Sequence, residues 1–483
     1  MKKNDSVLKK KNKKLTITTD SLFKFFVVFF FCSLFVCAVM AVATGGDSWK
    51  MSLFHSGSYT DLYMDFFNSL RDASADDVYT ARNNIYPPLC LLVFKICGLV
   101  ISDELLALPN TKRTLLQTDE ACMMIYILFA IVCILAMTSI IKAYTNRLCW
   151  ENGKTKTVKY ELLSFILIIS YPVMYCIERG NIIILSMIFT MFFVFFKDSE
   201  NKYIRELSYI SLALAAGIKL YPAIFGIMLL LDKKYKDALR LVVYGIIAVI
   251  VPFVFFIDFD KLTLTASSGF MTASISDVST LAISSGSDTS PILNILENLL
   301  SFATNKKSRL NFSSVSIENF IFIFSPQSKT LAKITCVATE GIAVVALLFA
   351  KKKWQQTFLL SYLMLNIPSA SSSYALTFLI IPFVMFLFDD KGNGYNSDNR
   401  PRIDVVYTVC YALLLTPLPM LWYFHEDKAI EIFNSLGVPY ESKINQVIAT
   451  FVFQYLFMQV VVEIISNLIY QYKKSRKKEK AAN

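Results

Sequence analysis

Two carboxylates stand just beyond the first long apolar run of this chain: Asp61 and Asp65, in the stretch Tyr59-Thr-Asp-Leu-Tyr-Met-Asp-Phe-Phe-Asn68. A carboxylate at a lipid–water boundary offers a base to an alcohol, which is a poor nucleophile while it keeps its proton. On a helix the two would be i and i+4, so both can face one pocket. Asp65 is the expected base, with Asp61 as the second candidate for that role. The alternative is an acidic pair solvated in a polar loop.

Cations are needed wherever a phosphate departs with growing charge. Two candidates lie further along. Glu178-Arg179-Gly180-Asn181 separates two apolar runs. Its glycine can supply a tight turn and its asparagine can cap the next helix. Arg179 can then clamp a phosphate, with Glu178 as its partner or as a contact to substrate; a plain turn is the other reading. Lys219 sits in Ala215-Ala-Gly-Ile-Lys-Leu-Tyr-Pro222, inside what would otherwise be one continuous helix. A lysine near membrane depth is costly and marks a site by default. Pro222 frees backbone carbonyls that only protein or a polar cavity can satisfy, although a lysine can also snorkel to the interface. Lys219 and Arg179 are the expected phosphate ligands. Glu178, Asn181, Tyr86, Tyr221 and Tyr374 are candidate substrate contacts, the tyrosines being equally at home in an interfacial aromatic belt. Glu340 and Glu463 fall inside apolar runs, where a carboxylate lines a cavity or meets a buried cation.

The elements that must carry these residues are membrane helices. The 483-residue chain is 55% hydrophobic and only 18% charged, with 40 phenylalanines. That excludes an ordinary soluble globule. The net charge of +11 comes from short basic clusters between apolar runs, as orientation in a bilayer requires, so no nucleic-acid partner is expected. With ten cysteines, none in a CxxC pair, and two histidines, a Cys/His zinc site is excluded. No cofactor is expected; a divalent metal has Asp76-Asp77 as its one suggestion of oxygen ligands.

Apolar runs predict spans over residues 23–42, 122–141, 160–177, 182–196, 207–218, 220–231, 239–257, 331–350, 358–367, 374–388, 405–423 and 447–470. The first is longer than a signal-peptide core and reads as an uncleaved span. Basic segments at the N-terminus, 142–159, 233–240, 351–353 and the C-terminal tail should be cytoplasmic. To keep 142–159 inside, the Pro87-Pro88 segment 86–101 must lie at the outer interface without crossing. The fold expected is an all-α polytopic membrane protein of about 12 transmembrane helices with both termini inside. Its parts are a basic tail (1–22), a catalytic membrane module (23–390), C-terminal spans (391–470) and a second basic tail (471–483). The module has a first outer loop (44–119) and a long outer loop (258–330). Asp61, Asp65, Glu178-Arg-Gly-Asn181, Lys219-Leu-Tyr-Pro222 and Ser371-Ser-Ser-Tyr374 would then all fall on the non-cytoplasmic side.

The order Met-Asp-Phe-Phe-Asn, Tyr-Pro-Pro-Leu, Glu-Arg-Gly-Asn, Ala-Gly-Ile-Lys-Leu-Tyr-Pro resembles the GT-C superfamily of membrane glycosyltransferases. Within it the chain most resembles glycosyltransferase family 87, over roughly residues 20–390. This chain departs from many members at Arg179-Gly-Asn181, where they carry Gly-Gln-Asn. The resemblance implies a GT-C-like bundle with interfacial helices in the first outer loop, and a polyprenyl- or dolichyl-phosphate sugar donor. It also implies inversion at the anomeric carbon and a catalytic aspartate at the place of Asp65. The expected activity is transfer of a mannose-like hexose to a lipid-linked or cell-envelope glycan at the outer face of the plasma membrane. A polysaccharide polymerase or ligase, and a lipid-linked-sugar transporter or flippase, are the rival classes.

Overall fold

The computed structural model describes residues 19–46, 48, 62–75, 78, 86–108, 114–151, 159–256, 321, 329–367, 373–388, 400–419 and 444–482. Among the described residues the chain is all-helical, with no strand. The first helix, α1 (Thr19–Ala43), shows why. Its buried positions are Leu22, Phe26, Phe30, Ser33, Cys37 and Met40, a stripe at helical spacing, while Val28, Phe31, Phe35 and Val39 face outward. One stripe packs on protein, as in the contact of Phe26 with Phe383 at 4.7 Å between ring centroids. The rest is surface as apolar as a lipid tail. In a bilayer such a stripe is held by close packing rather than by withdrawal from water.

Among the described residues, five helices are long and apolar enough to cross a membrane: Ser21–Ala43, Glu120–Leu148, Tyr235–Phe256, Thr330–Phe349 and Ile448–Lys477. A sixth is possible if the pair Glu161–Ile168 and Tyr171–Arg179, bent by 46°, is one span. The expected dozen is therefore not reached by length and composition. Other predicted spans emerge as shorter or broken helices: Ile183–Phe196, Lys202–Ile218, Lys353–Asn366 and Arg400–Leu415. In two more, Tyr221–Leu231 and Tyr374–Phe388, a 3-10 stretch precedes the α-helical turns. The segment expected not to cross forms an 11-residue helix, Pro88–Gly98. At 1.5 Å per residue it is about 16 Å long, half the hydrocarbon thickness.

The elements that hold the site need labels. These are α2 (Met64–Ala73), α3 (Pro88–Gly98), α4 (Glu120–Glu151), α5 (Lys159–Ile168), α6 (Tyr171–Arg179), α7 (Ile183–Phe196) and α8 (Lys202–Ile218). Helices α7 and α8 form an antiparallel hairpin with close backbones, because Ser186 Oγ donates to Ala215 O (3.0 Å) and Ser211 Oγ to Phe189 O (2.9 Å). Gly217 lets α8 lie against its neighbours: a Cβ there would meet Leu89 Cδ2 at 2.7 Å and Ala248 O at 2.9 Å. Most of the bundle shares one apolar core, running through α1, α7, α8 and the C-terminal helices. A second, smaller core gathers Phe66, Phe67, Leu70, Cys90, Phe94 and Tyr126, and reaches Ile182 and Ile218 at the tips of the hairpin. Helices α2 and α3 thus sit as a cap on the hairpin end where α7 starts and α8 stops. Lys95, which interrupts the apolar run of α3, is exposed and donates to Phe255 O at 3.1 Å, fastening the cap to the end of the Tyr235–Phe256 span.

Candidate active site

Asp65 is the second residue of α2, and its carboxylate is gripped from both sides. Arg179 Nη2 donates to Oδ1 at 2.7 Å and Asn181 Nδ2 donates to Oδ2 at 2.8 Å. Both charged side chains keep some access to the surface, Arg179 at 26% and Asp65 at 17%. A carboxylate has about four acceptor sites, so two partners fix its orientation and leave capacity for a hydroxyl proton. The guanidinium has five N–H donors, so engaging Asp65 does not exhaust it.

This arrangement follows from the turn between α6 and α7. Gly180 closes α6 in the left-handed region (φ 64), with Gly180 N–H on Ile177 O (2.9 Å) and Asn181 N–H on Cys176 O (3.0 Å). Asn181 Oδ1 accepts the Ile183 N–H at 3.0 Å, capping α7, while its amide nitrogen reaches Asp65. Glycine is required here for a second reason. A Cβ on Gly180 would lie 2.8 Å from Phe66 Cβ and 3.0 Å from Tyr63 O. The turn is pressed directly onto the start of α2, where the Tyr63 N–H donates to Glu178 O at 2.8 Å. Tyr63 itself takes a left-handed conformation (φ 58), which a bulky side chain adopts only when its surroundings impose it. Gln117 Nε2 donates to Leu62 O, holding the preceding residue. Glu178 is buried, at 1% exposure, in the same turn.

Lys219 terminates α8. Its backbone is extended (φ −142, ψ 124), and a 3-10 stretch, Tyr221–Gly226, follows with Pro222 in its first turn. The break expected from Lys-Leu-Tyr-Pro is present. The Lys219 ammonium lies 3.9 Å from the centroid of the Tyr86 ring, a cation–π contact. Tyr86 and Tyr374 both feel the charge of Asp65, and Tyr374 also that of Arg179. Tyr221 lies within electrostatic range of Tyr374. Tyr374 packs on Tyr175 of α6, ring centroids 5.9 Å apart. The structure therefore brings Asp65, Arg179, Asn181, Lys219, Tyr86, Tyr221 and Tyr374 to one end of the α7–α8 hairpin. Asp61, Asp76-Asp77, Ser371-Ser372 and nearly all of the long loop over 258–330 lie outside the described residues.

Sequence reasoning did not find Tyr63 or Gln117, whose contacts hold the main chain at the start of α2, or the buried Tyr126 packed on the Tyr63 ring. Nor did it foresee that Arg179 and Asn181 would meet the aspartate, 114 and 116 residues away. The partner of Glu463 is now in place: Lys352 Nζ at 3.0 Å, with Gln355 Nε2 at 2.8 Å and the Tyr407 hydroxyl at 2.6 Å. That cluster ties the C-terminal helices together. Glu340 accepts from Cys336 Sγ, one turn away on its own helix, at 3.4 Å. Among the described residues no group of three His, Cys, Asp or Glu side chains is placed to hold a metal ion.

No curated protein and no solved structure matches the chain. A family model does, and its match carries the Tyr-Pro-Pro, Glu-Arg-Gly-Asn and Lys-Leu-Tyr-Pro motifs while starting after Asp65. Residues 84–287 match the family described as Glycosyltransferase family 87, which supports a GT-C-like membrane glycosyltransferase.

Proposed function

We propose that this protein is an inverting glycosyltransferase that moves a mannose-like hexose from a polyprenyl-phosphate sugar to a lipid-linked or cell-envelope glycan. The observation that carries the reading is the Asp65 carboxylate, oriented by Arg179 and Asn181 at the hairpin end that also bears Lys219.

Asp65 takes the proton of an acceptor hydroxyl as that oxygen attacks the anomeric carbon. The bond from that carbon to the phosphate oxygen breaks, and its electron pair leaves with the polyprenyl phosphate. Lys219 and Arg179 hold the phosphate as its charge grows. A single displacement with one base inverts the anomeric carbon, and no covalent sugar–enzyme intermediate forms. Tyr86 keeps the Lys219 ammonium at the site before donor arrives; Tyr221 and Tyr374 contact the sugar. The donor's lipid tail lies in the bilayer, and about 12 membrane crossings, some by short helices shielded by neighbours, enclose the site. Both termini lie in the cytoplasm, and the Asp65 end of the hairpin faces outward in the plasma membrane, where the long loop over 258–330 contacts acceptor. No resident metal or cofactor takes part.

The test supplies purified full-length protein with a panel of polyprenyl-phosphate hexoses and a glycolipid extract, and reads products by mass spectrometry and anomeric configuration by NMR. Transfer with inverted configuration is expected. Retained configuration, or movement of the intact lipid-linked sugar across a vesicle bilayer without transfer, would reject the reading.

A further inference from the structure

The junction around Asp65 is fastened from one side by a residue with no part in the roles above. Tyr126 lies in the second turn of α4 and is 4% exposed. Its hydroxyl donates to Ile177 O, in the last turn of α6 immediately before Glu178 and Arg179. The same carbonyl accepts the Gly180 N–H (2.9 Å), so the tyrosine and the tight turn share one acceptor. The Tyr126 ring lies 4.5 Å from the ring of Tyr63 and 5.4 Å, edge to face, from that of Phe66. Tyr63 and Phe66 bracket Asp65 in sequence, and Tyr63 is the strained left-handed residue at the start of α2. One side chain from a long span thus touches both halves of the junction: the main chain that presents Arg179 and the rings that present Asp65.

A buried tyrosine hydroxyl finds some partner in almost any fold. Two features set this one apart. Its acceptor is a backbone atom two residues before Arg179, and its ring lies against a residue whose backbone conformation is unfavourable unless enforced. Loss of either contact lets the α6–α7 turn and the start of α2 shift against each other. The carboxylate position is set where those two meet.

We propose that Tyr126 is a positioning residue for the base: it sets the register between Asp65 and the Arg179–Asn181 pair, and through it the rate of transfer, without touching substrate. This rests on the reading of Asp65 as the base.

The experiment compares wild type, Tyr126→Phe, Tyr126→Leu and Asp65→Asn in the purified full chain. The donors are radiolabelled undecaprenyl-phosphate mannose, galactose and glucose supplied together, with a glycolipid extract as acceptor. Readouts are kcat, donor KM and thermal melting. Misplacing a reacting group by an ångström lowers rates about 100-fold. Tyr126→Phe, which keeps the ring and removes only the hydroxyl, is expected to lower kcat about 5–10-fold, and Tyr126→Leu about 100-fold. Donor KM should stay within about twofold, and Tyr126→Phe should melt with wild type. Wild-type kcat per folded molecule in Tyr126→Phe, with Asp65→Asn inactive, would overturn the positioning role and leave the base reading standing. So would a loss in Tyr126→Phe that appears wholly as raised donor KM. Full activity in Asp65→Asn would instead remove the base reading and this proposal with it. If Tyr126→Leu fails to fold, the phenylalanine variant decides.

Discussion

The two ends of the α7–α8 hairpin hold charge in contrasting ways. At one end Asp65 is the acceptor at the centre, partly open at 17% exposure, with Arg179 beside it at 26%. At the other end the centre is a cation. Lys197 is 1% exposed and sits between Asp198 at 2.6 Å and Asp232 at 2.5 Å. Asp198 also meets Lys234 at 2.6 Å, and Asp232 meets Lys353. From Ile183 to Phe196, 14 residues at 1.5 Å separate the clusters by about 20 Å. The Lys197 cluster closes on itself, cation to carboxylate, and ties the ends of α7, Tyr221–Leu231 and Lys353–Asn366. The Asp65 cluster leaves an oriented carboxylate and guanidinium at the surface and adds Lys219, whose ammonium rests on an aromatic face. Similar residue types serve as a fastener where the central charge is sealed, and suit a reaction where it stays open.

Substitutions can break that contrast in order of effect. Arg179→Ala or Asn181→Ala frees the Asp65 carboxylate from one of its two holds, and transfer per folded molecule should fall about 100-fold, Asn181→Ala also losing the cap on α7 at a cost of about 1 kcal/mol. If either variant keeps full kcat, the open end is not organised around Asp65. Lys219→Ala should act on donor binding, raising donor KM about tenfold, with Lys219→Arg in between. A pure kcat effect with unchanged KM would argue against Lys219 as a phosphate ligand.

The closed end should answer in stability instead. Asp232→Ala removes one of the two carboxylates around sealed Lys197 and the partner of Lys353; Asp198 still pairs with Lys197, so the cost stays below the roughly 3–5 kcal/mol of a buried charge left wholly unpaired. A clear drop in melting temperature is expected, with kcat per folded molecule within about twofold of wild type. Loss of activity without loss of stability would erase the distinction between the ends. The smallest effect is acid sensitivity. Burial opposes ionisation of Asp198, but Lys197 and Lys234 outweigh it and draw its carboxyl from the ordinary 3.8 down to about 2. A depressed carboxyl stabilises the fold fully above its unfolded value and loses that contribution as pH falls toward 2. Melting temperature should therefore decline between about pH 4 and 2. Asp198 is 46% exposed, so the decline is modest, and Asp198→Asn should flatten it. An unchanged pH profile in that variant would detach the carboxylate from the fastener.

Local chemistry was legible in the sequence wherever a residue's role is set by its neighbours in the chain. Gly180 in the tight turn, Asn181 capping α7, and the helix break at Lys219-Leu-Tyr-Pro222 all follow from backbone preferences of short segments. So does the brevity of α3, which begins at Pro88. The span count was less legible, because an apolar run does not reveal where its helix is broken. The interruptions at Ser170 before Pro172 and through Ser373–Leu379 leave hydropathy continuous while cutting helix length. Pairings between distant segments were hidden as well. Lys352 and Glu463 lie 111 residues apart, and Lys95 meets a carbonyl 160 residues on. The left-handed backbone of Tyr63 had no signal, since it is imposed by the turn and rings packed around it.

The central claim is that the carboxylate held by Arg179 and Asn181 takes the acceptor's proton. Asp65→Asn keeps the size of the side chain and one acceptor oxygen for those partners while removing its basicity. In a single-turnover assay with radiolabelled undecaprenyl-phosphate hexoses, transfer should fall about 1,000-fold while undecaprenyl phosphate still binds. Transfer at the wild-type rate in Asp65→Asn would contradict the account.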